Sequence, residues 1–364
     1  TSNNKSRYDY NPSTLAKRGL LIEEARTNSI RNNTMKGIAI GTPGTGPTNW
    51  AIGAGGIGVS TQRVGTGVES GINYIDVRFY GTPTVSTYTG IYPDQLVSGL
   101  ITQTWTGSFW SKLIAGSFTN TNVNIEIRET NSTQVFLTNT LTPISLSSAL
   151  TRFTQTRTLT GATTAFVSLG MVFQTTTGLP IDFTIRIGLP QLELGAFATS
   201  VILTSSAAAT RVIEVADVND ISSFYNPIAG ALYAKYTPLA TGKICGAVCF
   251  SDGTLNNRMI IRAMNASNQT AFIGVDSGIT SWGTTINSAT PNTTKSIFAY
   301  QLNDIAFTRN GSSVLTDSIA TIPIVTKLRL GNDGDGSFPL CGYLCQVTYY
   351  PVRLTNAELQ TITT

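Results

Sequence analysis

Tyr74, Asp76, Arg78 and Tyr80 occupy every second position of the segment YIDVRFYG, and Ile75, Val77 and Phe79 fill the positions between them. A period of two is that of a strand, whose successive side chains point to opposite faces. The segment therefore presents two aromatic rings, a carboxylate and a guanidinium on one face and buries the other. The same device recurs in NIEIRE, where Glu126 and Arg128 oppose Ile125 and Ile127, and in IDFTIRIG, where Asp182 and Arg186 oppose Phe183, Ile185 and Ile187. TWTGSFWSK adds a further set, with Trp105 and Phe109 on one face and Trp110 with Lys112 on the other. Rings and planar polar groups on a rigid surface suit a ligand with apolar ring faces and paired hydroxyls, which is the chemistry of carbohydrate. The other use of such charges is cross-strand ion pairing open to solvent, or contact with another subunit.

The C-terminal third offers fewer candidates. Trp282 stands in SGITSWGTTIN, a turn-rich context that suits either an exposed ligand platform or a structural corner. Trp50 follows a Gly/Pro-rich loop and is expected to plug one end of a sandwich. Asp333 and Asp335 of NDGDGS have the spacing of the first ligands in a calcium loop, but the bidentate glutamate of that loop is missing and the glycines suffice for a tight hairpin. Calcium at these two residues is the one cofactor considered; otherwise none is expected.

Catalysis has little to draw on. The chain contains no histidine, the commonest general base near neutral pH and the commonest metal ligand. Glycoside hydrolysis needs two carboxyl groups facing each other across the bond, whereas Glu126 and Glu129, three apart in a strand, point to opposite faces. The sequence has no GxSxG elbow, no P-loop and no Cys/His pair. The expectation is a protein that binds without transforming its ligand.

Composition points to the elements that must hold these residues. The chain has 364 residues, of which 12% are charged, against roughly 25% in an ordinary soluble domain. Gly, Thr, Ser and Asn are abundant, so the chain reads as β-rich with many turns. The net charge of +4 is spread along the sequence without a basic cluster, and nucleic acid is not an expected partner. No apolar run approaches the roughly 18 residues of a membrane helix, and a membrane is not an expected partner either. Cys245/Cys249 and Cys341/Cys345 form two CxxxC pairs in strand-like runs. In a regular strand the members of each pair would share a face about 13 Å apart, too far for a disulfide within the pair or for two zinc ligands from one strand. They are expected to be small buried hydrophobes, with a bridge between the pairs as the alternative.

Short alternating segments separated by turn residues are the pattern of sandwiches and jelly rolls. The expected fold is all-β, with two consecutive antiparallel β-sandwiches. Residues 1–35 read as an extended adaptor segment, 36–200 as the first sandwich, 201–226 as a linker and 227–364 as the second sandwich. RNGSS at 309–313 is a hairpin signal. Thr355 and Glu358 have capping-box spacing, so a short helix should close the chain.

Several long stretches carry a resemblance. RYDYNPSTLAKRGLLIEEARTN, GTPGTGPTNW, RVGTGVESGINYIDVRFYGT, PQLELGAFATS with ATRVIEVADV, and GYLCQVTYYPVRLTNAELQTIT resemble the receptor-binding and fibre-type proteins of tailed bacteriophages. That resemblance implies a carbohydrate-binding-module-like jelly roll followed by a laminin-G or concanavalin-like sandwich. It also implies a place on the virion tail or fibre, a homotrimer, and host surface polysaccharide as the partner, with other virion proteins contacted through the N-terminal segment. On this reading Tyr74, Asp76, Arg78, Tyr80, Trp110, Lys112, Glu126, Arg128, Arg186 and Trp282 are the candidate glycan contacts. A structural fibre or decoration protein that uses lectin-like folds for assembly, and a polysaccharide depolymerase, are the alternatives.

Overall fold

The computed structural model describes residues 7–10, 16–53, 58–239, 243–264, 269–287 and 293–364. Their regular structure is antiparallel strand apart from one short helix, in two compact units. One unit is Arg26–Arg211; the other combines Thr1–Ala25 with Val212–Thr364.

In the unit Arg26–Arg211, two sheets face each other. The five-stranded sheet runs Thr151–Thr158, Thr104–Ser117, Ile181–Leu194, Ile72–Gly81, Val59–Glu69. The six-stranded sheet runs Phe136–Pro143, Asn122–Thr130, Phe166–Thr175, Thr87–Tyr92, Ala51–Gly53, with Val97–Ser98 also paired to Phe166–Thr175. The alternation read from the sequence sets the inner faces. Ile75, Val77, Phe79, Ile125, Ile127, Ile185 and Ile187 are wholly buried in one core with Trp105 and Phe109. Phe79 and Phe183 from one sheet meet Phe173 from the other with ring centroids 4.8–5.6 Å apart. Each such ring contributes about 1.5–3 kcal/mol by leaving water. Trp50 packs partly against this core and donates its indole N–H to the Asn32 carbonyl at 2.7 Å.

The other unit pairs a seven-stranded sheet, Tyr8–Tyr10, Lys17–Ile22, Gly342–Tyr350, Ala229–Pro238, Thr294–Gln301, Asp304–Arg309, Leu315–Asp317, with a six-stranded sheet, Ala216–Val218, Lys327–Leu330, Cys245–Ser251, Arg258–Ala263, Gln269–Asp276, Ile279–Asn287. Asn310 and Gly311, both at positive φ, turn the chain after Asp304–Arg309 as the Asn-Gly signal requires. The helix Asn356–Thr363 is closed at its start by the full Thr355/Glu358 capping box.

The organisation along the chain differs from the four consecutive segments read from the sequence. The described residues 7–10 and 16–25 are not an adaptor: Lys17–Ile22 is a strand of the second sandwich, with Leu20 opposite Leu344 and Ile22 opposite Gly342. Ile22 sits in that sandwich's core. Gly19 makes the fit possible, because a Cβ there would lie 2.6 Å from the Leu344 carbonyl oxygen. From Arg26 onward the chain serves the first sandwich. The supposed linker is likewise divided. Thr204 is held by Asn33 and Ala209–Arg211 pairs with Arg26–Asn28, whereas Ala216–Val218 pairs with Lys327–Leu330 of the second sandwich.

The cysteines depart from a regular strand for a local reason. A bulge between Gly246 and Val248 puts Cys245 in the core and Cys249 on the opposite face. A second register shift falls at Cys345, which is exposed. The Cys245 and Cys341 thiols are hydrogen-bonding neighbours and both are free. The NDGDGS loop joins strands of different sheets instead of forming a tight hairpin.

Candidate functional site

The outward face of the five-stranded sheet gathers seven of the ten expected contacts. Tyr74, Asp76, Arg78 and Tyr80 lie on Ile72–Gly81, Arg186 on Ile181–Leu194, and Trp110 and Lys112 on Thr104–Ser117; the registers set Asp76 opposite Arg186, Arg186 opposite Lys112 and Gly188 opposite Trp110. Every cation among them is closed by a carboxylate. Arg186 donates to both oxygens of Asp76 at 2.8 Å and also to Glu69, while its guanidinium lies 3.3 Å from the Tyr74 ring centroid. Lys112 reaches Glu69 at 2.7 Å. Arg78 grips Asp182 through two bonds of 2.8 and 2.6 Å and covers the Tyr80 ring. The hydrogen bonds to Asp76 raise the Arg186 pKa further, and that from Arg78 holds Asp182 below the usual carboxylate range. Asp76 itself is buried and serves Arg186. Trp110 is half-buried and its indole N–H has no partner among the described residues.

The outward face of the six-stranded sheet carries Glu126 and Arg128, and its geometry is different. Glu126 is buried and accepts three hydrogen bonds, from the Tyr92 hydroxyl at 2.6 Å, the Asn139 amide at 2.6 Å and Arg128 Nε at 3.2 Å. Burial first, and the Glu126 charge second, raise the Tyr92 pKa, so its phenol stays protonated and donates. Gly170 leaves room for this: a Cβ there would lie 2.7 Å from Tyr92 Cε1 and 3.2 Å from Glu126 Oε2. Arg128 then sits between two rings, its guanidinium carbon 4.7 Å from the Tyr92 centroid and 5.5 Å from that of Phe136, which is 52% exposed. Only Nε is engaged. Both terminal nitrogens are without a hydrogen-bond partner among the described residues, and the side chain is 26% exposed.

No protein-family model matches the sequence, and no curated protein does. Among solved structures the chain is similar to the CBM40 of Ruminococcus gnavus IT-sialidase bound to alpha2,3 sialyllactose, with 13% identity and a TM-score of 0.35 over 42% of this chain and 97% of that one. The alpha2,6 sialyllactose complex of that module gives the same four values. Domains LG4-5 of the mouse laminin alpha1 chain are similar over 81% of this chain and 95% of that one, with 10% identity and a TM-score of 0.27.

The remaining candidates move out of consideration. Trp282 is 2% exposed, packed against Phe298 and Phe307 at centroid distances of 5.6 and 5.5 Å. It turns inward because Gly274, opposite it in the sheet, leaves space that a Cβ would fill, 2.0 Å from the indole Cε2. Asp333 is wholly buried between the guanidinium groups of Arg258 and Arg262, while Asp335 accepts the Ser337 N–H at 2.9 Å. The two aspartates expected to share a calcium ion are thus committed separately, and no cluster of three or more potential metal ligands occurs among the described residues. Glu129 is turned away from Glu126, buried against Arg157, Thr164 and the backbone N–H groups of Thr160 and Gly161. Tyr92, Phe136 and Asn139 were not singled out in the sequence. Alternation alone would put Phe136 and Asn139, three apart, on opposite faces; a register shift between Glu129 and Thr130 sets Phe136 opposite Thr130 and Asn139 opposite Arg128, and the strand order brings Tyr92 beside them.

Proposed function

We propose that the chain binds glycan without catalysis, as a host-attachment protein on the virion of a tailed phage, and that Arg128 is the centre of its binding face. The observation that carries this reading is the guanidinium held in place by Glu126 and flanked by Tyr92 and Phe136, with both terminal nitrogens free. A planar donor between rings on a rigid sheet suits a sugar that presents paired oxygens and an apolar ring face. Such a shallow site binds weakly alone. A homotrimer would raise avidity by roughly 10²–10⁴ when its copies engage together, and attachment to other virion proteins would supply the array.

The closed ion-pair face favours a second role for the same unit. Its charges need no ligand, which fits a fibre or decoration module whose surface is spent on its own stability. The two readings separate in one experiment, a glycan array probed with the intact protein, followed by titration of the best-binding glycan into Arg128→Ala and Phe136→Ala. Glycan binding is expected, weakened about tenfold or more by each substitution. Full retention in both variants would remove this face, no glycan bound at any density would favour the structural module, and release of sugar from the polysaccharide would make the protein a depolymerase.

A further inference from the structure

Apart from the two groups of residues above, the first sandwich has an open pocket of about 370 Å³ lined by Ser29, Arg31, Asp94, Leu96, Ser98 and Ser206 among others. Its size is at the lower end of the range for small-ligand pockets, about 300–1,000 Å³. Asp94 is 1% exposed and has every lone pair engaged. It accepts Arg31 Nε at 2.8 Å and the Arg31 backbone N–H at 3.3 Å on one oxygen, and Arg31 Nη2 at 3.0 Å and the Leu96 N–H at 3.2 Å on the other. The carboxylate is therefore spent on holding one edge of the guanidinium. The other edge, Nη1 with the second hydrogen of Nη2, has no partner among the described residues. Nor do the side-chain hydroxyls of Ser29, Ser98 and Ser206. The hydrogen bond to Asp94 raises the Arg31 pKa, so the charge persists at any ordinary pH.

We infer that this pocket is a binding site for a small hydroxylated carboxylate, its acid group on the free edge of Arg31 and its hydroxyls on the serines. A guanidinium edge matches a carboxylate with two parallel N–H···O bonds, and the fixed Asp94 removes the entropy of orienting it. A divalent cation does not fit, because the one carboxylate present is already paired with an arginine. The inference stands apart from the Arg128 face, since neither the residues nor the geometry are shared.

Two sources could supply such a ligand, a uronate unit within a polysaccharide or a free hydroxy acid. The test is calorimetric titration of the intact protein with glucuronate, glucose, gluconate and a polyuronate oligosaccharide. Glucuronate is expected to bind and its neutral counterpart glucose not to. Preference for the oligosaccharide over gluconate assigns a polymer source, and the reverse a free acid. Arg31→Lys keeps the charge against Asp94 but loses the two-pronged edge, and should weaken glucuronate about tenfold without unfolding the protein. Ser206→Val, which leaves the ion pair intact, should weaken it as well. Absence of glucuronate binding, equal binding of glucose, or unchanged affinity in both variants would overturn the site.

Discussion

The two outward faces of the first sandwich are built from the same residue types and behave oppositely. On the five-stranded sheet, Arg78 and Arg186 each find a carboxylate on a neighbouring strand, and Lys112 reaches Glu69 at the end of the edge strand. On the six-stranded sheet, Arg128 has only Glu126 among the described residues, two positions before it on its own strand, and Glu126 divides its capacity among three donors. The first face is a set of mutually satisfied pairs. The second is a buried anchor with one cation presented to solvent. Whether a charged strand face is a scaffold or a site thus depends on what the adjacent strands supply, which a single alternating segment does not reveal.

The comparison breaks most visibly at the anchor. Glu126→Leu would leave Tyr92, Asn139 and Arg128 without their shared acceptor, and a buried polar group left without its hydrogen-bond partner costs about 1–3 kcal/mol. A urea unfolding curve measures this directly. If the variant is as stable as the parent, Glu126 anchors nothing and the arrangement around Arg128 is incidental.

Ligand binding sharpens the contrast with a smaller effect. Arg128→Ala should lower glycan affinity about tenfold, a loss of about 1.4 kcal/mol, while Arg78→Ala changes it less than about twofold. Equal losses in the two variants would mean that the closed face also meets ligand, its ion pairs opening on contact.

Strand positions and inward faces were legible in the sequence because alternation is a local property: Ile75, Val77 and Phe79 announce their burial within five residues. What depends on partners distant in sequence was not legible. The segment GLLI is a strand only because Gly342–Tyr350 offers it an edge, and Trp282 is interior only because Gly274 lacks a side chain. Three of the four cysteines are buried as expected, but the members of a pair do not share a face, because single-residue bulges invert a strand's faces without changing its composition. At the site, Glu126 and Arg128 could be picked out from their own strand. Tyr92, Asn139 and Phe136 required the order of strands.

Acid titration tests a third carboxylate, inward of both faces. Burial pushes the Glu129 pKa up, but hydrogen bonds from Thr164, the backbone of Gly161 and Thr160, and Arg157 outweigh it and hold the pKa below the ordinary glutamate value. With the folded-state value depressed, the stabilisation is complete above the unfolded-state pKa of about 4.3 and is lost as pH falls through the lower folded-state value. Stability measured from pH 6 downward should therefore fall within that acid window, and Glu129→Gln should flatten the fall. An unchanged acid limb in the variant would assign it to other carboxylates.

The smallest effect expected belongs to the closed face. Asp182 is lowered in pKa by its bonds to Arg78, yet both side chains are substantially exposed, at 58% and 38%. Water and salt screen such a pair, so Asp182→Ala should cost at most about 1 kcal/mol. It should do so without altering affinity for a glycan bound at Arg128, and raising the salt concentration should shrink the difference further. The variant is informative because it frees Arg78 beside the Tyr80 ring, reproducing on the closed face the unpaired guanidinium nitrogens beside a ring that mark the open one. If Asp182→Ala gains affinity for the same glycan, an unpaired arginine beside a ring is sufficient for recognition and the second ring at Arg128 is dispensable. If it gains none, the enclosure of Arg128 by both Tyr92 and Phe136 is what separates a site from a charged surface.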